Sequence, residues 1–368
     1  MFNWPFSYDF YYLWSAGNLC RLGLDPFDKS LLTEQLLAIG WPAGEGIQAI
    51  THFPYVFWLY YLFSFLPFEI AQFVWVGFTT FGYLAIFKLI LRLVSKLQNN
   101  KSVRLRGSFI FVIALFPPGW IDIIYGQINW IILLALLLSV SELKNLRSLK
   151  AGLLLSLTAC KPHLLLPVYA ALFTSELRQR KLMLVIGFFV GLVFQAALVA
   201  TLAPQIYSQY FAHFSSTMSE ARLLVGASLS QILTNISGSP LMSAILAISG
   251  ILIGIIWGMR NKEINRSFFS FLLPISLVGA PYVWTHSLVL LLPAYALAVF
   301  HLINKSEKFT LLFCSLISAL AFGTIFRADL AKYWALLPLI CLFLGFCCAK
   351  TFKKVPRSVT LERVFRRE

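Results

Sequence analysis

An all-α, polytopic integral membrane protein is the fold class this chain predicts, with about eleven transmembrane helices and further juxtamembrane helices on the external side. Three observations carry that expectation. Of the 368 residues, 59% are hydrophobic and only 12% charged, whereas a soluble domain carries roughly a quarter charged residues. Apolar stretches recur along nearly the whole chain, and the longest, such as 70–94, can cross a bilayer. The net charge of +15 sits in short loops between apolar runs, at 96–106, 178–181 and 260–266, and in the tail 350–367. Cationic loops held on the cytoplasmic side of a membrane have that arrangement. A basic groove with interleaved aromatics is absent from the sequence, so no nucleic-acid partner is expected.

Residues 1–69 are expected to form an external segment. Within it, 10–22 is an aromatic helix candidate and 28–38 an amphipathic one, with Asp28 as N-cap and Leu31, Leu32, Leu36 and Leu37 apolar. The run 52–67 is apolar but short, and a full span there would put the 96–106 loop outside. It is therefore expected to lie in the interface or to dip in and out. The opening, residues 1–8, is too short for a cleavable signal peptide and lacks a basic flank.

The transmembrane domain is expected over 70–349. Span 70–94 ends near Lys88, Arg92 and Lys96, which places that end in the cytoplasm. The run 108–116 leads outward to a break at Pro117-Pro118-Gly119, and 128–140 returns to the basic loop 144–150. Residues 151–173 lie between two basic loops, so both ends share one side. Two short helices hinged at Lys161-Pro162 satisfy that constraint, because proline cannot continue the hydrogen-bond ladder. Span 182–202 goes out, 203–240 forms a second external loop, and 241–257 comes back. Then 268–283 goes out, 288–300 in, 311–325 out and 336–349 in, leaving 350–368 as a basic cytoplasmic tail. Of the 30 Lys and Arg, six (Arg21, Lys29, Lys161, Arg222, Arg327 and Lys332) fall elsewhere and the other 24 are cytoplasmic. Asp9, Asp25, Asp28, Glu45, Asp122, Glu220 and Asp329 fall outside. The six cysteines have neither metal-ligand nor paired spacing. Cys347 and Cys348 read as small apolar residues at a span end rather than lipidation sites.

Several polar residues invite chemistry. Asp9, in Ser7-Tyr8-Asp9-Phe10-Tyr11-Tyr12, is an acid among aromatics just outside the membrane. Partial desolvation can tune such a carboxylate into a general base, and a solvated or helix-capping role is the competing reading. Lys161, in the middle of an apolar hairpin, is costly there and can hold an anion such as a phosphate; its alternative role is an ion pair that orients two helices. His163 is a neighbouring donor. Gly126-Gln127-Ile128-Asn129 presents two amides, Gln127 and Asn129, suited to a polyhydroxy ligand or to capping a helix. Trp284-Thr285-His286, on an external turn, can bind a phosphate or stack on a sugar, and an interfacial aromatic belt would look similar. His52 and Arg222 are further external candidates. His213 is expected on a solvated surface and His301 at a cytoplasmic span end. Nucleotide-binding loops, zinc or EF-hand spacings and a nucleophile elbow are missing from the sequence. Neither a metal nor a cofactor is expected.

Taken in order, these motifs resemble the integral-membrane GT-C glycosyltransferases, and in particular glycosyltransferase family 87, the polyprenyl-phosphate-mannose-dependent type. Asp9-Phe10-Tyr11 through Gly23-Leu24-Asp25-Pro26-Phe27 is similar to the family's first external loop, and Phe53-Pro54 to the segment that follows. Gly126-Gln127-Ile128-Asn129 is similar to Gly-Gln-x-Asn, Lys161-Pro162 to the mid-hairpin Lys-Pro, and Ala280-Pro281-Tyr282-Val283-Trp284-Thr285-His286 to Ser-Pro-x-x-Trp-x-His. The chain departs from the pattern at Gly226-Ala227-Ser228-Leu229, where the family has Asn-Gln-Ser-Leu, and at Ser287, where it has a second histidine. The family also has a span ahead of its acid.

The resemblance implies a multi-pass enzyme of a bacterial plasma membrane with its site on the external face. It would move a hexose, such as mannose, from a polyprenyl-phosphate donor to a lipid or glycan acceptor, inverting the anomeric centre. Asp9 would be the catalytic base, and Lys161, His286 and Arg222 would hold the donor phosphate. Gln127, Asn129, Trp284, His163 and His52 would contact substrate. A transporter or flippase of lipid-linked substrates, or a non-catalytic subunit of envelope assembly, is the alternative expectation, with membrane lipids as partners in every case.

Overall fold

The computed structural model describes residues 7–42, 50, 52–95, 107–223, 228–261, 264, 265, 267–306, 310, 312, 314 and 333–352. Every regular element among the described residues is helical. Helices α1 (Tyr8–Arg21) and α2 (Lys29–Ala38) occupy the stretch 1–69 that the sequence leads one to expect outside the membrane domain. The Asp28 carboxylate caps α2, accepting from the backbone N–H groups of Ser30 (2.8 Å) and Leu31 (3.3 Å). Those donors have no partner within the helix. Leu32 and Leu36 are buried while Leu37 faces outward, so the apolar stripe is narrower than four leucines imply. The short apolar run that follows becomes a single 3-10 turn (Pro54–Val56) and a seven-residue helix, α3 (Phe57–Phe63), laid against α1.

Helix α4 (Phe68–Ser95) is the longest, at 28 residues. After α5 (Gly107–Ala114), the two prolines do not end the outward path as the sequence suggests. They occupy the first turn of α6 (Pro117–Tyr125), where a missing N–H costs nothing. The chain turns back only at Gly126, into α7 (Asn129–Lys144). The expected helix break at Lys161-Pro162 is present. Helix α8 (Ser148–Ser156) runs into a 3-10 turn (Leu157–Cys160), breaks at Lys161, and resumes through Pro162–Leu164 into α9 (Leu166–Arg178).

Next come α10 (Met183–Leu202), α11 (Ile206–Leu223), α12 (Leu229–Ser237) and α13 (Leu241–Arg260). A π-helical turn (Phe268–Leu272) leads into α14 (Leu273–Gly279), and a 3-10 segment (Thr285–Leu291) into α15 (Leu292–Lys305). Helix α16 (Leu336–Phe352) is the last among the described residues. The expected span 311–325, apart from residues 312 and 314, lies outside the described residues, as do the loop 96–106, Glu45, Arg327, Asp329 and Lys332.

Four helices, Phe68–Val94, Met183–Leu202, Leu241–Arg260 and Thr285–Ile303, are long and apolar enough to cross a membrane. Val112–Tyr125, Ser148–Cys160, Phe268–Gly279 and Tyr333–Leu344 are shorter and apolar. Proline, 3-10 and π turns thus divide several apolar runs that the sequence presents as single spans. The outward faces are greasy: Phe73 and Phe81 of α4 and Phe194 of α10 are exposed by 81%, 73% and 67%. Such faces suit lipid and would be a liability in water. Inside, α8 packs along α10 and α9 along α13. A Cβ at Gly152 would stand 2.2 Å from the carbonyl oxygen of Leu184, so glycine lets α8 and α10 touch backbone to backbone.

Candidate active site

The site is assembled where the α6–α7 turn meets the hairpin hinge and the first turn of α1. Gly126 ends α6 in the left-handed region, at φ 69°, and two hydrogen bonds close the turn. The Gly126 N–H donates to the Ile123 carbonyl and the Gln127 N–H to the Asp122 carbonyl, both at 3.0 Å. This Schellman arrangement satisfies carbonyls that the helix end leaves free. It also aims Gln127 and Asn129 into the interior, where both are buried. The Trp75 indole donates to the Gly126 carbonyl at 2.9 Å, and the Ser7 N–H donates to the Ile124 carbonyl at 2.8 Å. Those two bonds fix the turn to α4 and fix the start of α1 to the turn.

On the other side, the hinge supplies Lys161. Its backbone is extended (φ −134°, ψ 69°) because the following proline disfavours a helical conformation. The Tyr55 hydroxyl donates to the Ala159 carbonyl, one of the groups the broken helix releases, and Thr158 pairs with the Tyr169 hydroxyl at 2.7 Å. The lysine side chain is 7% exposed. Its ammonium donates to Oε1 of Gln127 at 2.8 Å and to Oδ1 of Asn129 at 3.1 Å.

Each amide passes the contact on to a carboxylate. Gln127 Nε2 donates to Oδ2 of Asp9 at 2.5 Å, and Asn129 Nδ2 donates to Oδ1 of Asp122 at 2.6 Å. The Tyr83 hydroxyl donates to the other oxygen of Asp122 at 2.8 Å. Residues 9, 127, 161, 129, 122 and 83 thus form one continuous polar chain through an otherwise apolar packing. The expected partners Asp9, Gln127, Asn129 and Lys161 are brought together. Asp9 is half-buried at the first turn of α1, outside the long spans. Burial raises its carboxyl to about 6, against the opposing pull of the Gln127 hydrogen bond and the Lys161 charge.

The remaining candidates surround this chain. His163 lies against Tyr282, ring centroids 4.0 Å apart, which joins the hinge to the 280–286 loop. His286 sits between Tyr125 (5.9 Å) and Trp284 (6.2 Å), and its segment packs on α6 and α7. His52 faces Tyr60 at 5.9 Å. Burial, joined by the charge of Lys161, holds its imidazole well below the usual histidine range, so it is neutral at neutral pH. The Nε2 atoms of both His52 and His286 are buried without a hydrogen-bond partner among the described residues. Such orphaned atoms cost stability unless a ligand or water completes them.

Arg222 lies in the last turn of α11, its side chain outside the described residues, and Gly226 and Ala227 are outside them altogether. Helix α11 reaches the first loop through Tyr210, whose ring is 5.5 Å from Phe27 and 5.7 Å from Phe53. His213 is not simply solvated; its Nε2 is 3.2 Å from Oδ2 of Asp25. His301 is buried in α15. Among the described residues no group of three or more His, Cys, Asp or Glu is placed to hold a metal.

Two residues of the polar chain escaped the sequence reading. Asp122, placed among the external acids but given no role, and Tyr83, which no sequence motif singles out, are 0% and 5% exposed. One signal was available: an acid flanked by Ile121, Ile123 and Ile124, four residues before an amide-bearing turn.

No curated protein and no solved structure matches the chain. The family model of glycosyltransferase family 87 matches residues 51–328, a stretch that holds His52, Gln127, Asn129, Lys161, His163, Arg222, Trp284 and His286, with Asp9 ahead of it. With three quarters of its length matched and its apolar helices exposed for lipid, this chain belongs to glycosyltransferase family 87 and is a membrane glycosyltransferase.

Proposed function

We propose that this enzyme transfers a hexose from a polyprenyl-phosphate donor to a hydroxyl of a lipid or glycan acceptor on the external face of the membrane. The observation that carries the reading is the bonded path from Asp9 through Gln127 to Lys161. It places a carboxylate tuned near neutrality one amide away from a buried cation. Those are the two groups that glycosyl transfer from a lipid phosphate requires.

The acceptor hydroxyl gives its proton to the Asp9 carboxylate while its oxygen bonds to the anomeric carbon. The bond from that carbon to the phosphate oxygen breaks on the opposite face, so the product is inverted. The polyprenyl phosphate departs as an anion and needs no general acid, but its growing charge needs stabilising. An ammonium has three donors, and Lys161 spends two of them on Gln127 and Asn129. The third is left for the phosphate, in a site where low dielectric strengthens the attraction. The unpartnered Nε2 atoms of His52 and His286 offer further bonds to phosphate or sugar. Trp284 supplies an aromatic face, and Arg222 and His163 complete the set. Neighbouring spans let the isoprenoid tail stay in lipid while its head group reaches the site.

Purified enzyme in lipid nanodiscs, given a polyprenyl-phosphate hexose and an acceptor glycolipid, tests the reading. Asp9→Asn should cut transfer by about 10²- to 10⁴-fold, the usual worth of a general base, and leave donor binding unchanged. Transfer by Asp9→Asn at the wild-type rate would remove Asp9 from the mechanism.

A further inference from the structure

The geometry points to Asp122 as a positioning residue that, acting through Asn129, holds the Lys161 ammonium in register for the donor phosphate. The inference rests on the reading of Lys161 as the phosphate ligand and adds a residue which that reading does not use.

Hydrogen-bond chemistry permits only one orientation for each amide in the chain. An ammonium can only donate and an ionised carboxylate can only accept. An amide wedged between them must turn its oxygen to the lysine and its NH₂ to the acid. Asn129 does so, with Oδ1 toward Lys161 (3.1 Å) and Nδ2 toward Asp122 (2.6 Å). Without the Asp122 charge, the Asn129 NH₂ group loses its acceptor and the amide is held on one side only, by the ammonium. A flipped amide would present N–H groups to the ammonium and push it away from its place.

Asp9 and Asp122 end the two arms of the chain, yet they differ in what they can do. Both oxygens of Asp122 are occupied, one by Asn129 and one by the Tyr83 hydroxyl at 2.8 Å, and the side chain is fully buried. Both of its oxygens are engaged and no part of it is exposed, so a substrate hydroxyl has no route to it. Asp9 is half-buried and bonded through one oxygen, so it keeps an acceptor for chemistry. A buried carboxylate is costly unless it is bonded and balanced by opposite charge. Tyr83 and Asn129 supply the bonds, and Lys161, one amide away, supplies the charge. Tyr83 comes from the middle of α4 and Asp122 from α6, so the lysine of the hinge is referenced to two other helices.

The test reads binding and turnover separately, with the purified chain in nanodiscs. The binding probe is a sugar-free polyprenyl monophosphate. Asp122→Asn, which keeps the volume and the Tyr83 contact, should weaken binding of that phosphate by about tenfold and lower kcat comparably, with acceptor KM unchanged. In a Lys161→Met background the same substitution should cost nothing further, because the group it positions is gone. A residue that merely supports the fold would cost the same in both backgrounds. Should Asp122→Asn fail to fold, Asn129→Ala cuts the same link while leaving both charged groups, and should show the same dependence on Lys161.

Wild-type affinity in Asp122→Asn, or equal losses in the two backgrounds, would overturn this inference alone. A wild-type chain that binds the probe no better than Lys161→Met would instead overturn the assignment of Lys161 to phosphate, and with it the basis of the role given to Asp122.

Discussion

At the scale of single residues, the site turns on how two carboxylates, two amides and one ammonium share their hydrogen bonds. Asp9 can act as a base only when ionised, and burial has moved its carboxyl up to about 6. The sign follows directly: above that pH the carboxylate is available, and below it the group is protonated and idle. The acid limb of kcat/KM should therefore bend near pH 6 and fall about tenfold per unit below it. A plain carboxylate would put the bend near 4. A pH–rate profile in nanodiscs decides between the two, and a bend near 4 would mean that Asp9 meets more water than its burial implies.

At the scale of elements, one turn does the most. Gly126 has φ 69°, and a Cβ there would lie 3.0 Å from the Cβ atoms of both Phe10 and Ser7. An alanine would strain the backbone and also push α1 away from the turn that carries Gln127. Gly238 gives the matched control, with φ 65° and nothing within 4 Å. Gly238→Ala should cost only the backbone strain, about 1 kcal/mol. Gly126→Ala should cost about 2–3 kcal/mol and reduce transfer by more than tenfold, since Asp9 and Gln127 would separate. Thermal unfolding and transfer assays on the pair check this; equal effects would show that the contact between α1 and the turn is unimportant. The hinge at Lys161-Pro162 works in the same spirit. It stops a helix where a helix would carry the lysine past the amides, and the Tyr55 hydroxyl takes up a carbonyl thus freed.

At the scale of the molecule, the exposed apolar faces suit lipid, and the proposed orientation follows from the placement of the basic loops. In the proposed orientation, with basic loops held inside, 144–150 would lie in the cytoplasm and 203–240 outside. Leu146 and Ile236 are both well exposed, at 73% and 77%, and sit in those two regions. In a Cys347→Ser, Cys348→Ser background, a membrane-impermeant thiol reagent on intact cells should label Ile236→Cys and spare Leu146→Cys. Cys20, Cys160, Cys314 and Cys341 are buried and should add little background. The reverse pattern would put the site on the cytoplasmic face and exclude an external acceptor.

Composition, charge placement and proline alone indicated a helical membrane protein, as the described residues are, with a helix break at Lys161-Pro162, since those properties depend on each stretch and its neighbours. They also indicated Asp9, Gln127, Asn129 and Lys161, because polar groups that cost energy in an apolar run need a reason to be there. Only the tertiary structure decided which of them bond to one another, and that Asp122 and Tyr83 belong with them. A carboxylate near a loop reads the same in sequence whether water or an amide satisfies it. The choice is made where α4 and α6 meet, residues 83 and 122 bonding across a distance in the chain that no local pattern records.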